Sequence, residues 1–297
     1  MTQASAARPV SARGRRPLLG SLAWARAALL AATAGPAAAR AGRRDPRLLV
    51  YYGSAGQAAI AHYDIAVLDS AIAADLQASC APGGLLLGYL SLGEVHGGRD
   101  YAPALQREGL LLEPNPNWPE ARLLDLRAPR WRERVVEELV PGILARGFGG
   151  LFFDTLDNAE ALERRDPARF AGMTEGAAEL VRAVRRRFPR VPLMLNRGYA
   201  VLPRIAGQFD MLLGESVRAT FDAAAGTYRL MPPDGYAWQV EQMRAAQRRD
   251  RQLRLFSLDY WDPEDREGCA RLYATQRANG FLPYVATFDL TRIVPET

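Results

Sequence analysis

The stretch Gly149-Gly150-Leu151-Phe152-Phe153-Asp154 is an apolar run that ends on a carboxylate, and Asp210-Met211-Leu212-Leu213-Gly214-Glu215 repeats this pattern later in the chain. Each run is typical of a buried strand that leads into a loop. In a barrel of parallel strands, the loops at the carboxyl ends share one face, so Asp154 and Glu215 can meet across a substrate. Two carboxylates in that arrangement predict glycosidase chemistry.

Similar apolar runs recur from Leu48 onward, separated by amphipathic stretches. We predict eight strands: Leu48 to Tyr52, Ile65 to Asp69, Leu85 to Leu90, Gly150 to Asp154, Leu193 to Asn196, Met211 to Glu215, Leu253 to Asp259 and Leu282 to Phe288. We predict helices at Ser70 to Ser79, Pro129 to Arg146, Thr174 to Phe188, Leu202 to Gln208, Tyr236 to Arg249 and Pro263 to Asn279. The first connection, Gly53 to Asp64, is too short for a standard helix.

This alternation predicts the fold class. Nearly continuous apolar strands between helices are typical of a parallel sheet covered on both faces. Eight repeats favour an α/β fold closed into a (β/α)8 barrel of the TIM type. An open doubly wound sheet is the alternative, but Tyr52-Gly53-Ser54-Ala55-Gly56 does not fit the Gly-x-Gly-x-x-Gly pattern. No low-complexity linker follows residue 45, so we predict one domain over residues 46–297.

The formal net charge of +5 is concentrated at the start of the chain. Residues 1–41 hold six arginines and no acid, so 38 − 6 = 32 basic residues face 33 acidic ones, a balance of about −1 for the remainder. Nothing in this balance indicates a nucleic-acid partner. The hydrophobic content of 48% is ample for a large core.

Residues 1–41 have the layout of a secretory signal peptide. A basic region that includes Arg15-Arg16 precedes an apolar stretch from Leu18 to Ala34, and small residues precede cleavage points after Ala39 or Ala41. The arginine pair is a weak indication of the twin-arginine route. Arg26 interrupts the apolar stretch and argues against a stable membrane span, with an uncleaved anchor as the alternative. We therefore expect a periplasmic or secreted protein.

Export makes the two cysteines relevant, because an oxidising compartment permits a disulfide. Cys80 follows the second strand and its helix, and Cys269 lies in the last helix. The first and last helices of a closed barrel are neighbours, so Cys80 and Cys269 can pair. Two separate buried thiols are the alternative.

Acidic and aromatic residues dominate the ends of the predicted strands. We predict that the substrate-binding residues are Tyr52, Asp69, Glu94, Asp157, Asn196, Asp259, Tyr260 and Trp261. Aromatic rings stack on sugars, and carboxylates bind hydroxyl and ammonium groups, so this groove favours an amino sugar. The alternative for several acids is a helix cap, a role for which Asp157 and Asp222 are well placed.

Asp154 and Glu215 are the predicted catalytic residues. Each ends an apolar strand, which desolvates the carboxyl and can separate the two pKa values. Only His62 and His96 occur in the chain, too few for a typical zinc site. A hard-metal site that uses Asp154 and Asp157 remains an alternative, but we predict no metal and no cofactor.

Several motifs carry a resemblance to a known family. They are Gly88-Tyr89-Leu90-Ser91-Leu92-Gly93-Glu94, Asn115-Pro116-Asn117-Trp118, the run from Leu124 to Arg132, the run from Arg146 to Asp157, and Leu213-Gly214-Glu215-Ser216. From Leu48 to Phe288 the chain resembles the endo-α-1,4-polygalactosaminidase superfamily, which comprises glycoside hydrolase family 114 and its relatives, including the glycosidase domain of the Pel exopolysaccharide-processing protein. It departs from the family at Phe148-Gly149-Gly150, where the usual motif is Phe-Asp-Gly.

The resemblance implies a metal-independent barrel hydrolase that acts on α-1,4-linked galactosamine or N-acetylgalactosamine polymers. It implies Asp154 as the nucleophile and Glu215 as the general acid/base of a retaining mechanism. We thus expect an exported, monomeric, endo-acting glycosidase whose partner is an exopolysaccharide. A non-catalytic polysaccharide-binding barrel and a glycosidase for another α-galactoside are the alternatives.

Overall fold

The structure, a computed structural model, describes residues 45–54 and 56–296. Its centre is a sheet of eight parallel strands: β1 (Leu48–Tyr51), β2 (Ile65–Asp69), β3 (Leu85–Ser91), β4 (Gly150–Asp154), β5 (Leu193–Asn196), β6 (Met211–Glu215), β7 (Arg254–Tyr260) and β8 (Leu282–Ala286). The strands are paired in chain order from β1 to β8. With helices between them they form a nearly closed TIM-type barrel, which confirms the predicted fold class.

The predicted strands agree with the structure because each is buried on both faces. β2, β4, β5 and β6 have the predicted bounds, and the other four differ by two residues at most.

In β6, a Cβ at Gly214 would lie 2.5 Å from Sδ of Met243. The glycine therefore allows the helix that carries Met243 to pack closely against the strand that ends on Glu215.

The barrel has one seam, between β8 and β1. These strands lie side by side, but no hydrogen-bonded ladder joins them among the described residues. Just beyond the strands, the Tyr52 N–H donates to the carbonyl oxygen of Leu290 at 2.8 Å. The segment that follows β8 therefore helps to close the barrel.

Helices cover the outside of the sheet. The α-helices are Gln57–Ile60, Leu76–Ser79, Ala102–Arg107, Pro129–Arg134, Val140–Ala145, Asp157–Arg165, Pro167–Phe170, Met173–Arg187, Pro233–Arg249 and Arg266–Ala278. A π-turn at Val135–Leu139 joins two of them, and Leu202–Arg204 is a 3₁₀-helix. The π-turn precedes Pro141, whose missing N–H interrupts the α-helical hydrogen-bond pattern.

Two predicted helices differ from the structure. The prediction for Ser70 to Ser79 is wrong over its first half, because Asp69 Oδ1 accepts from the Ala71 N–H and fixes a turn. The helix begins only at Leu76, after Asp75 caps it by accepting from two backbone N–H groups. The segment from Leu202 to Gln208 forms only the short 3₁₀-helix.

Two antiparallel insertions follow barrel strands at their carboxyl ends. After β3, the strands Glu94–His96, Leu111–Pro114 and Ala121–Leu124 form a small sheet with the third in the middle. After β6, Ala219–Asp222 pairs with Thr227–Leu230 in a hairpin. Both insertions extend the face of the barrel on which Asp154 and Glu215 lie.

The described residues, 45–54 and 56–296, form one compact unit, and the predicted signal peptide at 1–41 lies outside them. Within the described part of the chain, every helix is too short or too polar to span a bilayer. Cys80 and Cys269 are both free thiols. They do not pair because Cys80 follows the helix between β2 and β3, whereas the helix nearest the seam on that side is Gln57–Ile60.

Candidate active site

Three neighbouring strands, β4, β5 and β6, end on Asp154, Asn196 and Glu215. The residue after each of them has a left-handed backbone: Thr155 (φ 65°), Arg197 (φ 46°) and Ser216 (φ 52°). This conformation costs a non-glycine residue about 1 to 2 kcal/mol. Such backbone strain clusters at functional sites, and here it fixes a sharp turn after each of the three side chains.

The side-chain amide of Asn196 joins the two carboxylates. Its Nδ2 donates to Asp154 Oδ1 at 2.9 Å and to Glu215 Oε2 at 2.6 Å. Because both oxygens bind the same nitrogen, they are no more than 2.9 + 2.6 = 5.5 Å apart. The structure thus brings together the two acids that the sequence places 61 residues apart (215 − 154 = 61).

Further donors hold each carboxylate. Asp154 accepts from the Tyr89 hydroxyl at 2.9 Å and from the Thr155 N–H at 2.7 Å. Glu215 accepts from the Tyr260 hydroxyl at 2.6 Å. Both acids are therefore oriented by neighbours before a substrate binds.

The surroundings of Asp154 change the pKa of its carboxyl group. Burial and then the negative charge of Glu215 raise the pKa of Asp154 to about 6, against the hydrogen bonds from Asn196 and Tyr89, which lower it. Burial, followed by the charges of Asp154 and Glu215, also raises the pKa of Tyr52 well above its usual value. Tyr52 therefore lies close to both acids, as the sequence predicts.

Beside the two acids is a cavity of about 440 Å³ lined by Tyr52, Asp69, Tyr89, His96, Gly98 and Arg99. The rings of Tyr52 and Tyr89 meet edge to face, with centroids 5.2 Å apart. Asp69 forms a two-pronged ion pair with Arg99, at 2.8 and 2.9 Å. Although burial raises the pKa of Asp69, these bonds to Arg99 lower it overall, so its charge is already compensated.

A second ion pair lies on the other side of the acids, where Arg197 contacts Asp157 at 3.0 Å. Asp157 starts the helix Asp157–Arg165, and no side chain caps that helix end, so the capping alternative does not describe it. Burial lowers the pKa of Arg197, but the charges of Glu215, Asp157 and Asp154 outweigh burial and raise it. Asp222 likewise does not cap a helix, because it accepts from backbone N–H groups within the hairpin turn.

Glu94 occupies the edge of the small sheet next to β3. Its Oε2 accepts from Asn115 Nδ2 at 2.5 Å and from Asn158 Nδ2 at 2.9 Å. Its negative charge raises the pKa of Tyr89, after the larger effects of burial and Asp154. Glu94 therefore lies close to Tyr89, which binds Asp154, and is itself bound by two amides.

Asp259 does not fit its predicted contact with substrate. It is 1% exposed, and it accepts from the N–H groups of Arg218 and Ala219 and from Gln276 Nε2. Neighbouring residues of a strand point to opposite faces. Since Tyr260 points into the barrel mouth, Asp259 points outward to the helices and anchors the hairpin that follows β6.

Trp261 lies at the carboxyl end of β7, on the same face of the barrel as Asp154 and Glu215. Its Nε1 donates to Asp265 Oδ2 at 2.8 Å, and its ring is tilted against Tyr228 of the hairpin, with centroids 6.4 Å apart. The remaining predicted residue, Tyr260, is buried and contacts Glu215 directly.

The sequence reasoning missed Tyr89 and Arg99. Tyr89 lies in β3 two residues before Ser91, the residue paired with Asp154, so strand alternation could have placed it in the mouth. Arg99 follows the first strand of the small sheet, which was not predicted. For the metal alternative, no three His, Cys, Asp or Glu residues within 45–54 and 56–296 could together hold an ion.

Comparisons with known proteins show which proteins this chain resembles. A model of glycoside-hydrolase family GH114 matches residues 33–296. The glycoside hydrolase domain of PelA from Pseudomonas aeruginosa is similar over 85% of this chain and 99% of that domain, with 29% sequence identity and a TM-score of 0.72. Ega3 from Aspergillus fumigatus, solved in complex with galactosamine, shares the fold over 82% of this chain and 92% of its own, with 15% identity and a TM-score of 0.58. No curated protein gave a match.

Proposed function

The chain belongs to glycoside hydrolase family GH114 and is an endo-acting glycoside hydrolase, and we propose that it cleaves α-1,4-linked polymers of galactosamine or N-acetylgalactosamine. The observation that carries the chemistry is the Asn196 amide bound to both Asp154 and Glu215. The substrate class is supported by the family motifs and by the galactosamine bound to Ega3, a protein of the same fold. The alternative of a non-catalytic barrel does not apply to a glycoside hydrolase.

The proposed mechanism is retaining. Retaining glycosidases keep their two carboxyl groups about 5 to 5.5 Å apart, whereas inverting enzymes need about 6.5 to 9.5 Å for a water molecule. The upper limit of 5.5 Å between Asp154 Oδ1 and Glu215 Oε2 supports the first class.

In the first step, the Asp154 carboxylate attacks the anomeric carbon, the bond to the leaving oxygen breaks, and Glu215 gives its proton to that oxygen. In the second step, Glu215 takes a proton from water, the resulting hydroxide attacks the anomeric carbon, and Asp154 is released. The three donors to Asp154 favour its ionised form, which the nucleophile needs.

Isosteric variants test the pair. Asp154→Asn and Glu215→Gln should each reduce turnover of purified galactosamine polymer on the order of a thousandfold, because each removes one reacting group and almost no volume. Circular dichroism and thermal unfolding check that the fold is intact. Near wild-type rates in both folded variants would show that the catalytic assignment is wrong.

Two further measurements test the mechanism. Proton NMR of the first product should show the α-anomer, and an initial β-anomer would contradict retention. Rescue by azide, measured on a substrate with a good leaving group, shows which carboxylate is the nucleophile and which is the general acid/base. An alanine variant of the nucleophile should yield the β-glycosyl azide, and one of the acid/base the α-glycosyl azide, because azide replaces a different reactant in each case.

The other predicted side chains would orient the sugar without reacting. We assign this role to Tyr52, Asp69, Glu94, Asp157, Asn196, Tyr260 and Trp261, and we leave out Asp259. Trp261→Ala should mainly raise KM. An unchanged KM for Trp261→Ala would remove it from the binding surface.

We also propose that the protein is exported to the periplasm or secreted. The support is the signal-peptide layout of residues 1–41. Mass spectrometry of the protein from the producing cells should find a mature amino terminus after Ala39 or Ala41. Its monomeric state stays a prediction.

A further inference from the structure

A row of aromatic side chains leads away from the catalytic pair. The Tyr260 hydroxyl binds Glu215, and the Tyr260 ring meets Phe288 edge to face, with centroids 5.4 Å apart. Phe288 in turn stacks on Trp118, at 6.1 Å and an interplanar angle of 20°. Contacts between neighbouring side chains thus connect Glu215 to Trp118 without a gap.

Trp118 is the outer end of this row. Phe288 also stacks on Phe221 of the hairpin, at 4.9 Å and 22°, so Phe288 packs against both aromatic rings. One face of the indole packs on Phe288, yet Trp118 remains 48% exposed. Exposure of so large an apolar surface has a free-energy cost in water, and a ligand that stacks on it would recover that cost.

The turn that carries Trp118 is fixed relative to the catalytic acids. The Trp118 N–H donates to the carbonyl oxygen of Asn115, and the Trp118 carbonyl oxygen accepts from the Ala121 N–H at 2.8 Å. Asn115 is 7% exposed, and its side-chain amide binds Glu94. Asn115 and Trp118 both belong to the sequence motif Asn115-Pro116-Asn117-Trp118, for which the catalytic mechanism provides no role. A rigid turn that presents an exposed indole loses little entropy when a ligand binds.

We propose that Trp118, supported by Phe288, is an outer subsite that stacks on a sugar ring of the same polymer chain that is being cut at Asp154 and Glu215. This inference rests on the proposed function and adds a second binding position to it. We infer a sugar ring as the ligand for two reasons. The row of aromatic contacts connects Trp118 to Glu215, and one face of a sugar ring can stack on an aromatic side chain. The axial 4-hydroxyl of a galactose-type ring leaves the opposite face with a patch of C–H groups, which suits a flat aromatic surface.

Such a subsite makes activity depend on chain length. A polymer that reaches from the catalytic acids to Trp118 gains the stacking energy, whereas a short oligosaccharide held only at the acids does not. Aromatic stacking contributes about 0.5 to 1.5 kcal/mol, which corresponds to a change of about 2- to 12-fold in kcat/KM.

The test compares Trp118→Leu with Trp118→Tyr, on long polymer and on the shortest oligosaccharide that the wild type cleaves. Leucine keeps an apolar side chain but removes the flat ring, and tyrosine restores a ring. We expect Trp118→Leu to lower kcat/KM about fivefold on polymer, to leave the oligosaccharide rate within twofold, and Trp118→Tyr to recover most of the loss. Thermal unfolding checks that each variant folds.

Binding provides a readout without turnover. In a Glu215→Gln background, Trp118→Leu should weaken polymer binding about fivefold with little effect on the oligosaccharide. Equal losses on both substrates, or no loss on polymer, would overturn the subsite. Failure of the proposed function looks different, because the wild type would then leave galactosamine polymers uncut.

Discussion

At the scale of single residues, the side-chain amide of Asn196 favours the ionised form of Asp154. Its hydrogen bond lowers the pKa of Asp154, against burial and the charge of Glu215. As the proposed nucleophile, Asp154 must be ionised, so kcat/KM should fall below about pH 6 in the wild type. Asn196→Ala removes one donor, so the acidic limb should move to higher pH.

The pH profile of kcat/KM on polymer measures this shift. Asn158→Ala is the matched control, since it removes an amide from Glu94 and none from the catalytic pair. If the acidic limb of the pH profile does not move in Asn196→Ala, the hydrogen bond from Asn196 does not lower the pKa of Asp154. A rate that falls above pH 6 instead would show that Asp154 carries the proton, which reverses the assigned roles.

The same raised pKa predicts an effect on stability. A carboxyl whose folded pKa rises from 3.8 to about 6 contributes stability that is fully present below pH 3.8 and is lost as the pH rises through 6. Asp154→Asn removes the charge and keeps the shape. It should therefore be more stable than wild type at pH 8, by up to about 3 kcal/mol, and about equally stable at pH 3.5.

Urea unfolding at the two pH values measures this difference. Asp69→Asn is the matched control, because the pKa of Asp69 is lowered by its bonds to Arg99. This control should be less stable than wild type at pH 8. A loss of stability in Asp154→Asn at pH 8 would show that the two acids do not oppose each other in the folded protein.

At the scale of elements, the buried barrel strands could be predicted and the insertions could not. Each barrel strand is a nearly continuous apolar run, which is the pattern typical of a parallel strand buried on both faces. The insertion strands Leu111–Pro114 and Thr227–Leu230 are short and partly exposed, so they leave no clear pattern in the sequence. For the same reason Arg99, which follows the first insertion strand, was missed, although the strand pattern predicted that Asp154 and Glu215 would lie together, as they do.

Asp259 illustrates a different limit. The end of β7 was located within one residue, but that single residue decides which side chain faces the barrel mouth. Tyr260 faces it, and Asp259 binds two backbone N–H groups of the hairpin connection and Gln276. The sequence reasoning placed the end of the strand one residue early and assigned the inward direction to both Asp259 and Tyr260.

This position predicts a structural role for Asp259. Asp259→Ala would leave three donors without their partner, two of them buried, and we expect a loss of about 2 to 5 kcal/mol in the free energy of unfolding. Urea unfolding measures this loss. A variant of normal stability with a raised KM would instead return Asp259 to the substrate-binding surface.

At the scale of the whole molecule, the charges around the cleft are largely compensated. Asp69 is paired with Arg99 and Asp157 with Arg197. Within the described residues, Glu94 is bound by two amides and no arginine. Outside the catalytic pair, Glu94 is therefore the cleft carboxylate best placed to attract an ammonium group.

Glu94→Gln should weaken binding of deacetylated polymer more than binding of acetylated polymer, since only the former carries ammonium groups. Glutamine can still accept from Asn115 and Asn158, so the turn of Trp118 should keep its place. The difference should shrink as salt is added, because salt screens the attraction. Equal losses on both polymers in a calorimetric titration would contradict the charge argument.

Closure of the barrel depends on the segment after β8. Leu290 accepts from the Tyr52 N–H across the seam. The Val294 N–H donates to the Tyr284 hydroxyl of β8 at 3.3 Å, and the Val294 carbonyl oxygen accepts from the Tyr63 hydroxyl, ahead of β2, at 3.4 Å. The segment therefore binds both sides of the seam and fixes the backbone of Tyr52 beside the catalytic acids.

Deletion of residues 290–297 should destabilise the protein by about 4 to 6 kcal/mol, because it exposes the sites of two buried side chains, Leu290 and Val294, and breaks the seam bonds. Glu296→Ala is the control, since it removes only the exposed ion pair with Arg277 and should cost less than about 1 kcal/mol. Urea unfolding compares the two variants. Because Tyr52 would lose its anchor, the truncated enzyme should also have a lower kcat at a temperature where it remains folded. Wild-type stability in the truncated protein would mean that β8 and β1 close the barrel without this segment.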